Sequence, residues 1–184
     1  DVDKRKLNIL KEELENSYDS NLIYIYEMDV TSEDSIKNVS KKLEIEDLNI
    51  DVLINNAAID PKVNKNKTII NTSRLEDFSL DDWNSQIAVG LTGAFLCSKV
   101  FGNQMAVRNS GGCIINIASD LSIIAPDQRI YSLKNTSSNK QPVKPITYSV
   151  IKSGIIGLTK YLSTYWLGSN IRCNALSPGG VYQN

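Results

Sequence analysis

Asp51-Val52-Leu53-Ile54-Asn55-Asn56-Ala57-Ala58 is an apolar run of strand length that stops abruptly in two amides and two alanines. A short run without polar alternation reads as a strand of a parallel sheet, buried on both faces. The figure recurs in Cys113-Ile114-Ile115-Asn116-Ile117, after a Gly111-Gly112 break, and in Ile171-Arg172-Cys173-Asn174-Ala175-Leu176, before Ser177-Pro178-Gly179-Gly180. Leu22-Ile23-Tyr24-Ile25-Tyr26 is a further β-prone run, leading into Met28-Asp29-Val30. Helical patterns alternate with these runs. Lys4 to Glu15 carries Leu7, Leu10 and Leu14 at helical spacing. Thr31-Ser32-Glu33-Asp34 opens a second helix, with Thr31 as N-cap and Ile36, Val39 and Leu43 turned inward. Ser79-Leu80-Asp81-Asp82 starts a long helix reaching about Val107, and Thr147 to Leu167 is another. Asp60 to Thr72, rich in Asn and Lys, reads as a loop. Residues 126–146, with three prolines, read as a long irregular segment.

Strands alternating with helices define the α/β class, in which ligands bind outside the carboxyl ends of the strands. Asp29, Asn55, Ser119 and Ser177 each follow a strand-like run, so the site is expected there.

Composition narrows the chemistry. The chain has 184 residues, 41% hydrophobic and 22% charged, enough for one domain with a sizeable core. Twenty Lys and Arg against twenty-one Asp and Glu argue against a nucleic-acid partner or a polybasic membrane contact. Histidine is absent. Ser-His-Asp and Cys-His catalysis, HExxH zinc sites and imidazole switches are thereby excluded, and no metal site is expected. Cys97, Cys113 and Cys173 are odd in number and set in apolar surroundings, which reads as reduced thiols. No apolar run approaches the ~20 residues of a membrane span. Residues 1–15 are charged and helix-forming, unlike a signal peptide, and the cytoplasm is the expected compartment.

Proton chemistry must then fall to Tyr, Lys, Ser, Asp or Glu. Tyr148-Ser149-Val150-Ile151-Lys152 puts a phenol and an ammonium at i and i+4, on one helical face. A free tyrosine has a pKa of ~10, and lowering it by three units takes roughly 4 kcal/mol, within reach of a nearby cation in a partly desolvated site. Such a pair can act as a general acid–base. Alone the spacing is common on solvated helices. Its weight comes from Ser119 at a strand end, Asn55-Asn56-Ala57-Ala58, and Pro178-Gly179-Gly180-Val181.

Taken in order, these motifs resemble those of the classical short-chain dehydrogenase/reductase family along essentially the whole chain. The resemblance implies a Rossmann-like, doubly wound parallel sheet in three layers, α/β/α. Asp29-Val30 is similar to the family's adenine-contacting pair, and Asn55-Asn56-Ala57-Ala58 to the element that stabilises the sheet and lines the cofactor. By the same resemblance Ser119, Tyr148 and Lys152 are the catalytic residues. Tyr148 would exchange a proton with the substrate oxygen, Ser119 would hydrogen-bond that oxygen, and Lys152 would bind the nicotinamide ribose and lower the tyrosine pKa. Pro178, Gly179 and Val181 would face the nicotinamide. Bland alternatives remain beside these roles: Ser119 as a turn cap, Asn116 bonding backbone, Asp29 as a turn former, Gly179 and Gly180 serving turn geometry alone.

Three departures from the family pattern matter. The glycine-rich phosphate turn is not within these residues, and the chain opens at Asp1-Val2-Asp3 directly before the Leu7 helix. The expectation is therefore one partial Rossmann-type domain over 1–184, with N-terminal strands and the C-terminal end absent. A gap would then lie between the Leu22 and Val52 strands. In the family an acidic residue at this point binds the adenosine ribose diol. Asp1 thus favours NAD, with NADP as the alternative, because a carboxylate repels a 2′-phosphate, and Asp3 competes for the role. Second, Gly90, in Trp83-Asn84-Ser85-Gln86-Ile87-Ala88-Val89-Gly90-Leu91-Thr92-Gly93, stands where the family has a catalytic asparagine. A water in the freed space, a redesigned site and an inactive site are the open readings. Third, an insertion of about 126–147 separates Ser119 from Tyr148, with Arg129, Lys134, Lys140 and Lys144 making it basic. It is expected to border the substrate pocket and favour a phosphorylated or nucleotide-linked substrate, against the alternative of a solvated mobile loop.

The insertion, with Ala125-Pro126-Asp127-Gln128-Arg129 and Lys144-Pro145-Ile146-Thr147-Tyr148-Ser149, resembles a subgroup of bacterial surface-sugar and flagellin-modification enzymes. The expected function is an NAD(P)-dependent oxidoreductase acting on a sugar, sugar phosphate or nucleotide sugar. A noncatalytic nucleotide-binding or regulatory protein on the same fold is the alternative. The Trp83 and Tyr148 helices are similar to those of family dimer interfaces, so a homodimer or homotetramer is expected.

Overall fold

The Val52 run forms strand β1 (Val52–Asn55), bonded to β2 (Gly112–Ile117), which is bonded in turn to β3 (Ile171–Leu176). This is a computed structural model, and it describes residues 1–59 and 73–180. The Asp60–Thr72 loop and Val181 lie outside the described residues. Both pairings are parallel, in the order β1-β2-β3, with Leu53 opposite Ile114 and Ile114 opposite Cys173. Strand alternation therefore brings Leu53, Ile114 and Cys173 onto one face.

That face carries the helices α2 (Glu33–Ile45), α4 (Gly93–Arg108) and α5 (Ile146–Tyr165). Ile36, Val39 and Leu43 of α2 pack on Leu96, Cys97 and Phe101 of α4, as their spacing predicts. Met105, Ile114, Leu162, Ile171 and Cys173 close a second cluster between helices and sheet. Two glycines allow this close stacking. A Cβ at Gly93 would stand 2.8 Å from Val30 Cγ2, and one at Gly102 would stand 2.5 Å from the Trp166 ring.

Several expectations need correction. Ile23–Tyr26 joins no ladder; Ser20–Leu22 is a 3-10 turn, and β1 has only β2 as its neighbour among the described residues. A β-prone run becomes a strand only when a partner edge reaches it, and here Tyr26, Met28 and Val30 pack instead against the α2–α4 cluster. Burial on both faces fails for β1, where Val52 is 53% and Ile54 57% exposed, because α2, α4 and α5 cover the opposite face. Helix α1 (Lys4–Glu15) has the predicted bounds, but none of its residues is buried. Ser32, not Thr31, caps α2, accepting from Ser35 N–H, while Thr31 is taken up by Asp29.

The long helix from Ser79 is broken into α3 (Leu80–Ile87), a π turn over Ala88–Thr92, and α4. Gly90 sits in the middle of that turn. The insertion holds only short 3-10 turns, Gln128–Tyr131 and Ser138–Lys140, consistent with its irregular reading. Asn109, left-handed at φ 54°, ends α4, and Gly111 at φ 79° turns the chain into β2.

All three cysteines are free. Burial pushes the Cys97 and Cys173 thiols up to about 11. Both should therefore resist alkylation near pH 8 in the folded protein and react at the ordinary rate in denaturant, which a timed thiol titration measures. Rapid native labelling of either would contradict their burial.

Candidate active site

The carboxyl ends of β1 and β2 and the first turns of α5 enclose a pocket of about 170 Å³. Asn55 and Ala57 line it from the sheet side, Tyr148 and Lys152 from α5, and Gln86 and Gly90 from the broken helix. One helical turn separates Tyr148 from Lys152, and the Lys152 Nζ lies 5.8 Å from the tyrosine ring centre. The ammonium donates to the Ile117 carbonyl at 2.6 Å, so the end of β2 fixes its position. The predicted pair is thus brought together at a strand end.

A second cation stands closer. Lys144 Nζ lies 3.6 Å above the Tyr148 ring, the range of a cation–π contact. By sequence Lys144 belongs to the basic insertion alone. Its i−4 spacing from Tyr148 is a weak signal, because α5 begins after it, at Ile146.

Ser119 follows β2 as expected, yet it does not line this pocket. Its hydroxyl donates to Asp120 Oδ1 at 2.8 Å and accepts from Leu121 N–H, so the turn-capping alternative is realised. The next turn leans on the end of β3. Asp120 N–H donates to the Pro178 carbonyl at 3.2 Å, and Asp120 Oδ2 is the nearest atom to a Cβ built on Gly179, at 3.8 Å. Three strand ends therefore converge at Asn55, Ser119 and Ser177–Gly179. Asp29 does not follow a strand. Its Oδ1 accepts from Thr31 N–H and Oγ1–H, and these bonds hold its carboxyl below the usual range.

Asp1 is tied to the same corner, because its carbonyl accepts from Met28 N–H at 3.0 Å, next to Asp29 and Val30. Asp3 is committed elsewhere, capping α1 through Arg5 and Lys6 N–H. Asn116 bonds side chains rather than the expected backbone. Its Oδ1 accepts from Asn55 Nδ2 at 2.8 Å and its Nδ2 donates to Thr159 Oγ1 at 2.9 Å. Asn55 Nδ2 also donates to Ser98 Oγ, so one amide pair knits β1, β2, α4 and α5 together beneath the pocket.

Gly90 is not open space. A Cβ there would stand 2.9 Å from Ile151 Cγ2, so Ile151 occupies the ground that a larger residue would claim. The reading of a simple water-filled gap gives way to a repacked wall. Gln86, which carries no motif signal in the sequence, is the polar side chain that α3 sends into the pocket.

A sequence family described as enoyl-(acyl carrier protein) reductase matches residues 1–183. The chain belongs to the short-chain dehydrogenase/reductase family. Among the family's members, D-threitol dehydrogenase of Mycolicibacterium smegmatis is 29% identical over 150 residues, covering 82% of this chain and 47% of that protein. The 2-dehydro-3-deoxy-D-gluconate 5-dehydrogenase of Bacillus subtilis is 30% identical over 160 residues, 85% of this chain and 50% of that one. The chain thus spans about half the length of these curated relatives. A crystal structure of a short-chain dehydrogenase from Leptospira borgpetersenii with bound NAD+ superposes with a TM-score of 0.71 at 30% identity, over 86% of this chain and 54% of that one. The family fold is the Rossmann-like α/β/α sandwich, and β1–β3 with α2, α4 and α5 form part of it. No helix among the described residues is long and apolar enough to cross a membrane.

Proposed function

We propose that this short-chain dehydrogenase/reductase is an NAD(P)-dependent oxidoreductase that interconverts a secondary alcohol and a ketone on a polyol, sugar or sugar acid. The observation that carries the reading is the Tyr148–Lys152 pair on one face of α5, facing a pocket at the strand ends, with the ammonium anchored on Ile117 O at 2.6 Å.

The residues present fit a nicotinamide dinucleotide. Asn55, Ala57, Pro178 and Gly179 would line the nicotinamide half, Asp29 and Val30 the adenine, and Asp1 the ribose diol. A Cβ built on Gly180 meets nothing within 4 Å, and one on Gly179 only Asp120, so the turn after β3 leaves room for a close approach. A nicotinamide held by these residues would supply hydride transfer to or from the substrate carbon. Tyr148 is assigned the proton exchanged with the substrate oxygen. Lys152 is assigned to hold the ribose side and to stabilise the tyrosinate. Ser119 would add a hydrogen bond to the same oxygen by turning its hydroxyl away from Asp120. Asp1, beside Asp29 through the Met28 bond, favours NAD over NADP by repelling a 2′-phosphate.

The threitol and dehydro-deoxygluconate relatives support a polyhydroxylated substrate. A phosphorylated or nucleotide-linked sugar is the finer form, carried by the basic insertion. Arg129 in it is already bound to Asp127 at 2.8 Å and Lys144 lies over Tyr148, so polyols and sugar acids come first. The engaged Ser119 hydroxyl and Gly90 favour a second reading, a nucleotide-binding protein without turnover.

Titrating the full-length protein with NADH and NADPH, then following the nicotinamide band with polyols, sugar acids and sugar phosphates, separates the readings. NADH should bind more tightly than NADPH, and at least one polyol or sugar acid should turn over. Binding with no turnover on a wide panel supports the second reading, and no binding of either nucleotide overturns both.

A further inference from the structure

We infer that the cleft between residues 73–77 and the insertion is a second ligand site, which takes a small oxyanion: a carboxylate or phosphate ester on a short organic body. It shares no lining residue with the strand-end pocket.

The walls of this cleft are braced, although the insertion holds only short 3-10 turns. Gln141 gathers the insertion around one amide. Its Oε1 accepts from Leu133 N–H at 2.7 Å, and its Nε2 donates to the Leu133 and Thr136 carbonyls at 3.0 and 2.7 Å. The folded insertion is then tied to the facing stretch. Val143 N–H donates to Ser73 Oγ at 3.2 Å, and Arg74 Nη1 donates to the Ser138 and Gln141 carbonyls at 3.3 and 3.4 Å. Between these ties lies a space of about 570 Å³, the size of a small-molecule site.

The chemistry of the lining selects the ligand. The Arg74 side chain is 21% exposed, and its bonds to two carbonyls fix the guanidinium plane without neutralising its charge. The Nη2 edge already holds a carboxylate, with Glu76 Oε1 3.0 Å away. That carboxylate ends a side chain that is 65% exposed, and an ion pair so open to water is weak. A ligand oxyanion can therefore take its place on the same edge, since a guanidinium suits carboxylate and phosphate oxygens alike. Lys144 adds a second cation to the lining, its side chain running on to the Tyr148 ring, where Nζ lies 3.6 Å from the centre. Two cations against the single carboxylate of Glu76 leave the lining positive. Leu75, Val143 and Ile146 supply an apolar wall, so the site suits an anion with an organic body over a bare ion.

Calorimetric titration of the full-length protein with phenyl phosphate, benzoate, inorganic phosphate and neutral benzyl alcohol, each with and without NADH, tests the site. Phenyl phosphate or benzoate should bind more tightly than inorganic phosphate, benzyl alcohol should not bind, and the tighter of the two aromatic anions assigns the source. Glu76→Gln removes the internal competitor and should tighten binding about threefold. Arg74→Lys keeps the charge, but one ammonium cannot clasp two carbonyls and present a fixed edge, so affinity should fall about tenfold. Misfolding cannot produce the gain in Glu76→Gln, so the two variants separate recognition from damage. Soaked crystals should place the oxyanion within hydrogen-bond distance of Arg74. No binding of either aromatic anion to the wild type and to Glu76→Gln overturns the inference, as does equal binding of benzyl alcohol. Affinity unchanged in both variants overturns it too, and displacement by NADH would put the anion in the dinucleotide site instead. None of these readouts uses turnover, so the second site and the oxidoreductase reading stand or fall separately.

Discussion

Tyr148→Phe is expected to lower kcat by about 10³-fold while leaving nucleotide affinity within about twofold of the wild type. The substitution removes one oxygen and nothing else. The ring remains, so Lys144 keeps an aromatic face at its 3.6 Å position, though a phenylalanine face without the hydroxyl. Lys152 keeps its 2.6 Å bond to the Ile117 carbonyl, which does not involve the tyrosine. Apart from that hydroxyl, the pocket lining keeps the same residues. A loss of turnover with binding intact therefore reads the proton step itself, and the thermal midpoint should move by no more than a degree or two. Stopped-flow or steady-state rates on the best substrate, with a parallel NADH titration, measure both halves. If the variant retained more than a tenth of the wild-type kcat, the proton would have to travel by another group, and Ser119 freed from Asp120 would become the one to examine.

How far the residues announced this arrangement depends on the range of the forces involved. Strand β3 and helix α1 were legible to the residue, because a short apolar run between turn formers and a leucine spacing behind Asp3 are local signals. The Tyr148–Lys152 face was legible for the same reason, since helical geometry alone puts i and i+4 together. The Leu22–Tyr26 run has no ladder partner among the described residues, in line with the expected gap beside β1, because strand formation is a property of two edges and its own composition carries no information about the second. The α3–α4 break was hidden in a pattern that reads as one continuous helix; nothing in Ala88-Val89-Gly90 announces a π turn before Ile151 is packed against it. Gln86 was missed because its partner, Thr147, is distant in sequence and meets it only after α5 docks. Ser119 was placed correctly at a strand end, but its bond to the adjacent Asp120 is a choice of rotamer that sequence does not report.

The Asn116 network gives the largest stability effect. Asn116 is fully buried in the central strand, and each end of its amide is used: Oδ1 takes Asn55 Nδ2 at 2.8 Å, and Nδ2 reaches Thr159 Oγ1 at 2.9 Å and Cys173 Sγ at 3.6 Å. Asn116→Ala removes these bonds and opens a cavity in the layer between sheet and helices. Asn55 would retain Ser98 as acceptor, and Thr159 would retain its own bond to Ile155 O at 2.8 Å, so neither is wholly orphaned. A broken buried network with a residual cavity then costs about 2–4 kcal/mol, or a fall in Tm on the order of 5–15 °C for a domain of this size. Thr159→Val removes only one partner and should cost about 1 kcal/mol. Because both changes touch the same bond, the double variant should be less destabilised than the sum of the two, which a denaturant double-mutant cycle reads directly. Equal midpoints for Asn116→Ala and wild type would show that the amide cluster is incidental. The same variant also tests the link from core to site. Asn55 lines the pocket, and with Asn116 gone its amide is held from one side only, so nucleotide affinity should weaken severalfold under conditions where the variant is still folded. A destabilised variant with unchanged affinity would confine the network to structure; a loss of both makes Asn116 the point where sheet packing sets the geometry of the site.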